Sequence, residues 1–268
     1  MAIVSLEQYR TLSNAPMQRV PFSKASIVTV QGRLYDLWDV SPDAGVAPTT
    51  AVVPTRATVG ALGQLDATVG TLNLLKGNIG CSAWGAWILA DRLSHQAGLS
   101  GTDITAQTTN LPTAALTRYT DGVGVMIGLT IYSSLGVVGS TVTASYTNEA
   151  GTGGRTTQPA VIGIPSFQEA RRMILLPLQS GDYGAQSVED VTLATSTGAV
   201  GNFGVTLFKP LVMLPVPVVS QSFEWDALFN LGARAPEIVD GACLFWMNLP
   251  LSTLSGIMQG ELSFAETT

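Results

Sequence analysis

The chain carries one histidine, His95, directly after Ser94, with Asp91 close by. Serine, histidine and aspartate are the parts of a hydrolytic triad, in which the imidazole takes the serine proton and the carboxylate orients the imidazole. Triad members must converge in space, and a nucleophile adjacent to its own base does not present both side chains productively. His95 therefore reads as a turn residue between Arg92-Leu93 and Gly98. Zinc needs three or four Cys, His or carboxylate ligands in suitable spacing, and one histidine with the distant Cys81 and Cys243 does not supply them. Asp182 with Glu189 and Asp190 is the best acidic patch for calcium, but no D-x-D-x-D run exists, so it reads as a solvated loop. Asp36 with Asp39, or Glu189 with Asp190, could be offered as the carboxylate pair of a glycosidase. Neighbours on a strand point to opposite faces, which disqualifies Glu189 with Asp190.

Two glycine-rich stretches are weighed in the same way. Gly122-Val123-Gly124-Val125-Met126-Ile127-Gly128 imitates a dinucleotide fingerprint, but its spacing is off by one and a strand follows instead of a helix. Gly151-Thr152-Gly153-Gly154-Arg155 lacks the Lys-Ser/Thr ending of a phosphate loop and reads as a hairpin tip. Trp38, Trp84, Trp87, Trp225 and Trp246 could stack sugars or anchor interfaces, with core packing the default for most. No catalytic residue, cofactor site or metal ligand is assigned, and no enzyme activity is expected.

The elements that would position these residues are mainly strands. Val, Thr, Ala and Gly dominate, and 28 Gly and 14 Pro punctuate them, which suits many short strands joined by turns. Ser5 is placed to cap a helix over Leu6 to Leu12, with Gln8 at the capping-box position. Residues 166–171 and 225–231 could each supply a turn or two of helix. Ala25 to Val30 and Arg33 to Val40 flank Gln31-Gly32 as a hairpin, and the Pro/Thr-rich residues 41–60 read as an extended arm or edge segment. Further strands are expected at 83–93, 122–132, 140–147, 156–163, 173–178, 189–195, 202–209 and 211–219. The fold class is all-β: an antiparallel sandwich or jelly-roll-like body with an extended N-terminal arm and few short helices. Its divisions are residues 1–75 (hairpin and arm), 76–220 (body) and 221–268 (an extension packing on the body).

Composition narrows the function. Charged residues make up 12% of the 268, about half the roughly 25% of ordinary soluble domains. The longest apolar run, Leu211 to Val219, contains Pro215 and Pro217 and falls short of the about 20 residues a membrane helix needs. The N-terminal residues lack the basic start of a signal peptide and meet Glu7 and Arg10 early. A net charge of −6 argues against non-specific nucleic-acid binding. Lys24, Lys76 and Lys209 are the only lysines among 13 basic residues, and arginine tolerates interfaces better than lysine. Cys81 and Cys243 sit among apolar and aromatic residues and are expected to be buried free thiols, in keeping with a reducing compartment.

Residues 91–101 (Asp91-Arg92-Leu93-Ser94-His95-Gln96-Ala97-Gly98-Leu99-Ser100-Gly101) and 118–124 (Arg118-Tyr119-Thr120-Asp121-Gly122-Val123-Gly124) form a pattern that resembles structural proteins of tailed bacteriophages. The pattern continues through 145–148 and 154–156, then 176–182 (Leu176-Pro177-Leu178-Gln179-Ser180-Gly181-Asp182) and 201–207. It covers somewhat under half the chain and consists of turns and strand edges. The resemblance implies a β-rich virion component, assembled in the bacterial cytoplasm, and carries over no catalytic residue. The leading expectation is a capsid decoration or cement subunit whose partners are the major capsid protein and its own copies, as a dimer or trimer. Neither nucleic acid nor membrane is an expected partner. The arm at 41–60 would reach a neighbouring subunit by strand addition, and the scarce charges would cluster at subunit contacts. A receptor- or glycan-binding fibre, spike or tail protein is the alternative.

Overall fold

The computed structural model describes residues 5–112, 114–230 and 235–267. The chain starts with helix α1 (Leu6–Ser13), whose N-cap Ser5 accepts a 3.2 Å hydrogen bond from the Gln8 amide, as the sequence led one to expect. Strands β1 (Gln18–Lys24), β2 (Tyr35–Asp36), β3 (Thr71–Cys81), β4 (Gly85–Leu99), β5 (Gln107–Leu111) and β6 (Met126–Ser133) follow. Next come β7 (Ser140–Asn148), β8 (Arg155–Thr156), β9 (Ala160–Ile162), β10 (Met173–Leu176), β11 (Ala185–Leu193) and β12 (Asn202–Val216). The chain finishes with β13 (Ser222–Asp226), α2 (Ala227–Asn230), β14 (Glu237–Ile238), β15 (Leu244–Pro250) and β16 (Met258–Thr267). Among the described residues no helix is long and apolar enough to cross a membrane.

Among the described residues all strand pairings are antiparallel and form three sheets, so the fold is an all-β sandwich. The central sheet has the order β10-β6-β12-β4-β15-β2. Its axis is two long strands, β4 and β12, each 15 residues and therefore about 50 Å end to end. A terminal sheet, β1-β16-β3-β13 with β14 beside β3, packs on one half of this axis. Phe22, Leu74, Ile79 and Phe264 there meet Trp87, Leu89, Leu214 and Trp246 of the central sheet in one core. A distal sheet, β5-β11-β7-β8 with β9 beside β7, packs on the other half. Val142, Tyr146, Val188 and Val191 there meet Ile127, Leu129, Phe203 and Val205.

Alternation explains these contacts. Strand β7 buries every second residue, from Ser140 through Val142, Ala144 and Tyr146 to Asn148. In β12, Val212, Leu214 and Val216 are buried while Met213 and Pro215 between them are exposed. The separate strands expected at 202–209 and 211–219 are one strand, because register shifts absorb the irregularity near Pro210. Beyond Phe208, β12 pairs with β4 alone, and that is where Pro210 and Pro215 fall. A residue without an N–H fits a strand that has a partner on one side only.

Several expectations need correction. Gln31-Gly32 does turn the chain, with Gly32 at φ 71°, but no ladder joins its flanks. Val28 instead bridges to Leu254, and Tyr35–Asp36 pairs with β15, because partners from the C-terminal region take both flanks. The 75/76 boundary falls inside β3, and β1 pairs with β16, so the first and last segments build one sheet instead of flanking a body. Residues 166–171 form turns, not helix, with Ser166 and Arg171 at positive φ. The second expected helical turn is α2, and Leu231 at its edge lies outside the described residues, as do residues 1–4.

Candidate functional site

The residues with chemical potential lie on the central sheet around β4. Asp91 and Arg92 are consecutive on that strand, so they project to opposite faces. Asp91 accepts two hydrogen bonds from Arg118, at 2.8 and 3.0 Å, and one from the Cys243 amide at 2.8 Å. Burial pushes its carboxyl above the usual range, and Arg118 pulls it back. Arg118 Nη2 also donates to the carbonyls of Pro54 and Arg92. On the other face, Arg92 donates to Asp36 at 2.5 Å and to Thr206 at 3.0 Å. Its guanidinium lies 4.1 Å from the Phe245 ring centroid and 4.7 Å from that of Trp38. Asp36 also accepts from Thr130 and from the Trp38 amide.

His95 belongs to this buried centre and is no turn residue; it lies inside β4 at 1% exposure. Its Nδ1 sits 3.4 Å from Arg92 Nη1 and 3.5 Å from Tyr132 Oη. Burial first, and the Arg92 charge second, lower its pKa to about 2, so the imidazole is neutral at ordinary pH. Ser94 Oγ donates to the Val52 carbonyl, and Asp91 is engaged with Arg118. The three potential triad members thus face three different sets of partners. The sequence missed this centre because Asp36, Arg118, Thr130 and Thr206 are far apart along the chain; a buried charge in a chain so short of charges was the available signal.

A cover closes the centre. The segment expected as an extended arm or edge segment runs along the edge of β4 in its own chain. Val52 and His95 exchange two backbone hydrogen bonds of 3.0 Å, and the Ala97 amide donates to the Pro48 carbonyl at 2.6 Å. Gly45 passes so close beneath Trp38 that a Cβ there would lie 2.2 Å from the ring. Strand addition by this segment is therefore intramolecular. It continues the position of β15 beside β4, where an exposed strand edge would otherwise remain.

The other candidates resolve individually. Asp182 is not a solvated loop carboxylate, for Arg155 clamps it at 2.8 and 2.9 Å, and Asn148 and Tyr146 also donate to it. Arg155 foremost holds its pKa down at about 2. Glu189 accepts from Thr147 and Ser187, at a register shift of β11. Asp39 pairs with Arg171 and Asp36 with Arg92, so those two carboxylates serve different arginines. Among the described residues no group of three or more His, Cys, Asp or Glu side chains could hold a metal ion. Gly151 and Gly154 have positive φ at the tip between β7 and β8, as expected of a hairpin loop. Cys81 and Cys243 are free and buried, and burial pushes the Cys243 thiol up to about 12. Three of the described arginines, Arg92, Arg118 and Arg172, are buried and donate to carboxylates or carbonyls, while Arg10 and Arg19 are exposed in surface ion pairs.

Beside the cover, the same outer face of the central sheet is open. Met213, Ile88 and Met247 form one cross-strand row there, and Pro215, Ala86 and Leu249 the next. Trp84 and Leu251 follow, joined by a 2.9 Å backbone hydrogen bond. Four tryptophans are buried, but Trp84 is 54% exposed, and Met213 and Leu251 are 56% and 53% exposed. At one end of the strip is a groove of about 360 Å³ with walls from Leu34, Met126 and Leu175. An antiparallel sheet with a solvated face normally turns polar residues outward. Here that face is apolar in every row, which makes it the candidate surface for a partner.

No family model matches the chain, and no curated protein matches its sequence. Among solved structures it is similar to the VP2 subviral particle of infectious bursal disease virus, with a TM-score of 0.16 and 9% identity over 94% of this chain and 80% of that one. It is also similar to T=1 particles derived from that virus, with a TM-score of 0.17 and 8% identity over 94% and 78% of the respective chains. Likenesses of that size carry no argument about fold or role.

Proposed function

We propose that this protein is a structural subunit of a virus particle, acting as a decoration or cement protein of a tailed-phage head, and that it works by burying surface and not by turning over a substrate. The observation that carries this reading is the uncharged apolar face of the central sheet in a chain with only 12% charged residues. Such a face is unfavourable in water and favourable under a partner, at about 25 cal/mol per Å² of apolar area buried. In this reading the partners are the major capsid protein and further copies of the chain, brought together in the host cytoplasm. The test is addition of the purified protein to expanded capsids that lack it. Binding at micromolar concentration with a raised disruption temperature is expected; no binding would overturn the capsid role.

A second reading, a receptor- or glycan-binding fibre or spike, is favoured by one observation, the exposed Trp84 in a hollow that Ser82 and Ser252 also line. Glycan-array binding that disappears in Trp84→Ser would select it.

A further inference from the structure

We infer that the open outer face of the central sheet is a two-fold self-association surface, in which the Trp84 end of one copy lies over the Leu34–Leu175 groove of another. The strip between these ends is organised for it. Trp84 and Ile88 lie two residues to either side of Ala86, and side chains two apart on a strand share a face. A two-fold axis lying between two stacked sheets, along the row Pro215–Ala86–Leu249, places that row opposite itself. It also places Trp84 opposite the groove floor around Ile88 and Met213. The prominence at one end and the hollow at the other are thus both satisfied by one isologous contact.

Three further features point to a second copy as the occupant. Among the described residues no charged side chain lines the groove or the Trp84 end, so two chains of net charge −6 meet there without opposing like charges. Pro210 and Pro215 occupy the part of β12 that has a strand on one side only, which disfavours sideways strand addition and leaves face-to-face stacking at about 10 Å. The area also suffices. Trp84, Met213, Leu251, Leu254, Leu175 and Val219 are each between 38% and 56% exposed. With the partly exposed Ala86, Ile88 and Leu249 they offer on the order of 700 Å², against the about 800 Å² each partner contributes to a standard stable interface.

The inference concerns the purified chain alone, so it stands or falls independently of capsid binding. Sedimentation equilibrium of the full chain at micromolar concentration should give twice its 28.0 kDa mass. Met213→Lys, at a solvent-exposed position, should return the single-chain mass while leaving the far-ultraviolet circular dichroism unchanged. Trp84→Ser provides a second variant should the lysine disturb folding. In Ala86→Cys, a short bis-maleimide should join two copies through the row on the axis, since Cys81 and Cys243 are buried. A monomer at all concentrations, a trimer, a dimer indifferent to both surface substitutions, or failure of the Ala86→Cys cross-link would each overturn the inference.

Discussion

The outer face of the central sheet has two halves that follow opposite rules. Under the segment containing Gly45 and Val52 it holds Asp36, Arg92, His95 and Thr206, all almost wholly buried. Beside that cover, where the sheet is open, it holds Met213, Pro215, Ala86, Ile88, Leu249 and Trp84. Charges are inside and apolar groups outside, the reverse of the usual partition. The covered half tolerates ions because the chain itself supplies a carboxylate, hydroxyls and two aromatic faces for one guanidinium. The open half has no such partners within the chain, and an uncharged surface is the one that another sheet can cover without stranding a charge.

Arg92→Leu is the severest way to break this contrast. It leaves Asp36 buried without its cation, and urea unfolding should show a loss of about 3–5 kcal/mol. A smaller loss would mean that water reaches Asp36 and that the cover is looser than its hydrogen bonds indicate.

His95 tests the same half through pH. Its folded pKa, about 2, is below the about 6.5 of an unfolded histidine, so the unfolded chain binds the additional proton. The stability this contributes is complete above pH 6.5 and is lost as pH falls toward 2. Because His95 is the only histidine, unfolding free energy should fall by about 1.4 kcal/mol per pH unit between pH 6 and 5, before most carboxylates titrate. His95→Gln should flatten that slope. Asp182 then serves as a remote control. Its depressed pKa contributes stability present above the unfolded value near 4 and lost as pH falls through about 2, so Asp182→Asn should lower stability by a constant amount above pH 4 and change the pH slope only on the more acidic limb.

The open half should respond least in intrinsic stability and most in association. Met213→Lys should change the unfolding free energy of the dissociated chain by no more than about 0.5 kcal/mol. In the unsubstituted protein, the thermal midpoint should rise with protein concentration, as linkage to self-association requires. A midpoint independent of concentration would show that the apolar half is no different from ordinary surface.

Much of the local structure was legible in the residues. Ser5 with Gln8 announced α1, the alternation from Ser140 to Asn148 announced β7, and Gly151 to Gly154 announced a hairpin tip. Those signals act over a few residues, through capping, side-chain alternation and positive φ. The hairpin expected at Gln31-Gly32 failed because its flanks have stronger partners at Leu254 and β15. Of the two readings of residues 41–60, arm or edge segment, Pro48 and Val52 take the second, and nothing in their own sequence says that β4 has an edge available.

The sequence by itself determined that this is an antiparallel β protein with few charges, because strand alternation and composition are local properties of the chain. It also placed Asp91 and Arg92 on one strand and therefore on opposite faces. Only the tertiary structure decided that Arg118 and Asp36 meet them, that His95 is sealed in beside Arg92, and that one half of the central sheet is left apolar and uncovered. Those outcomes depend on which distant segment arrives over a given face, and the burial of a charge or the exposure of a tryptophan is settled by that arrival.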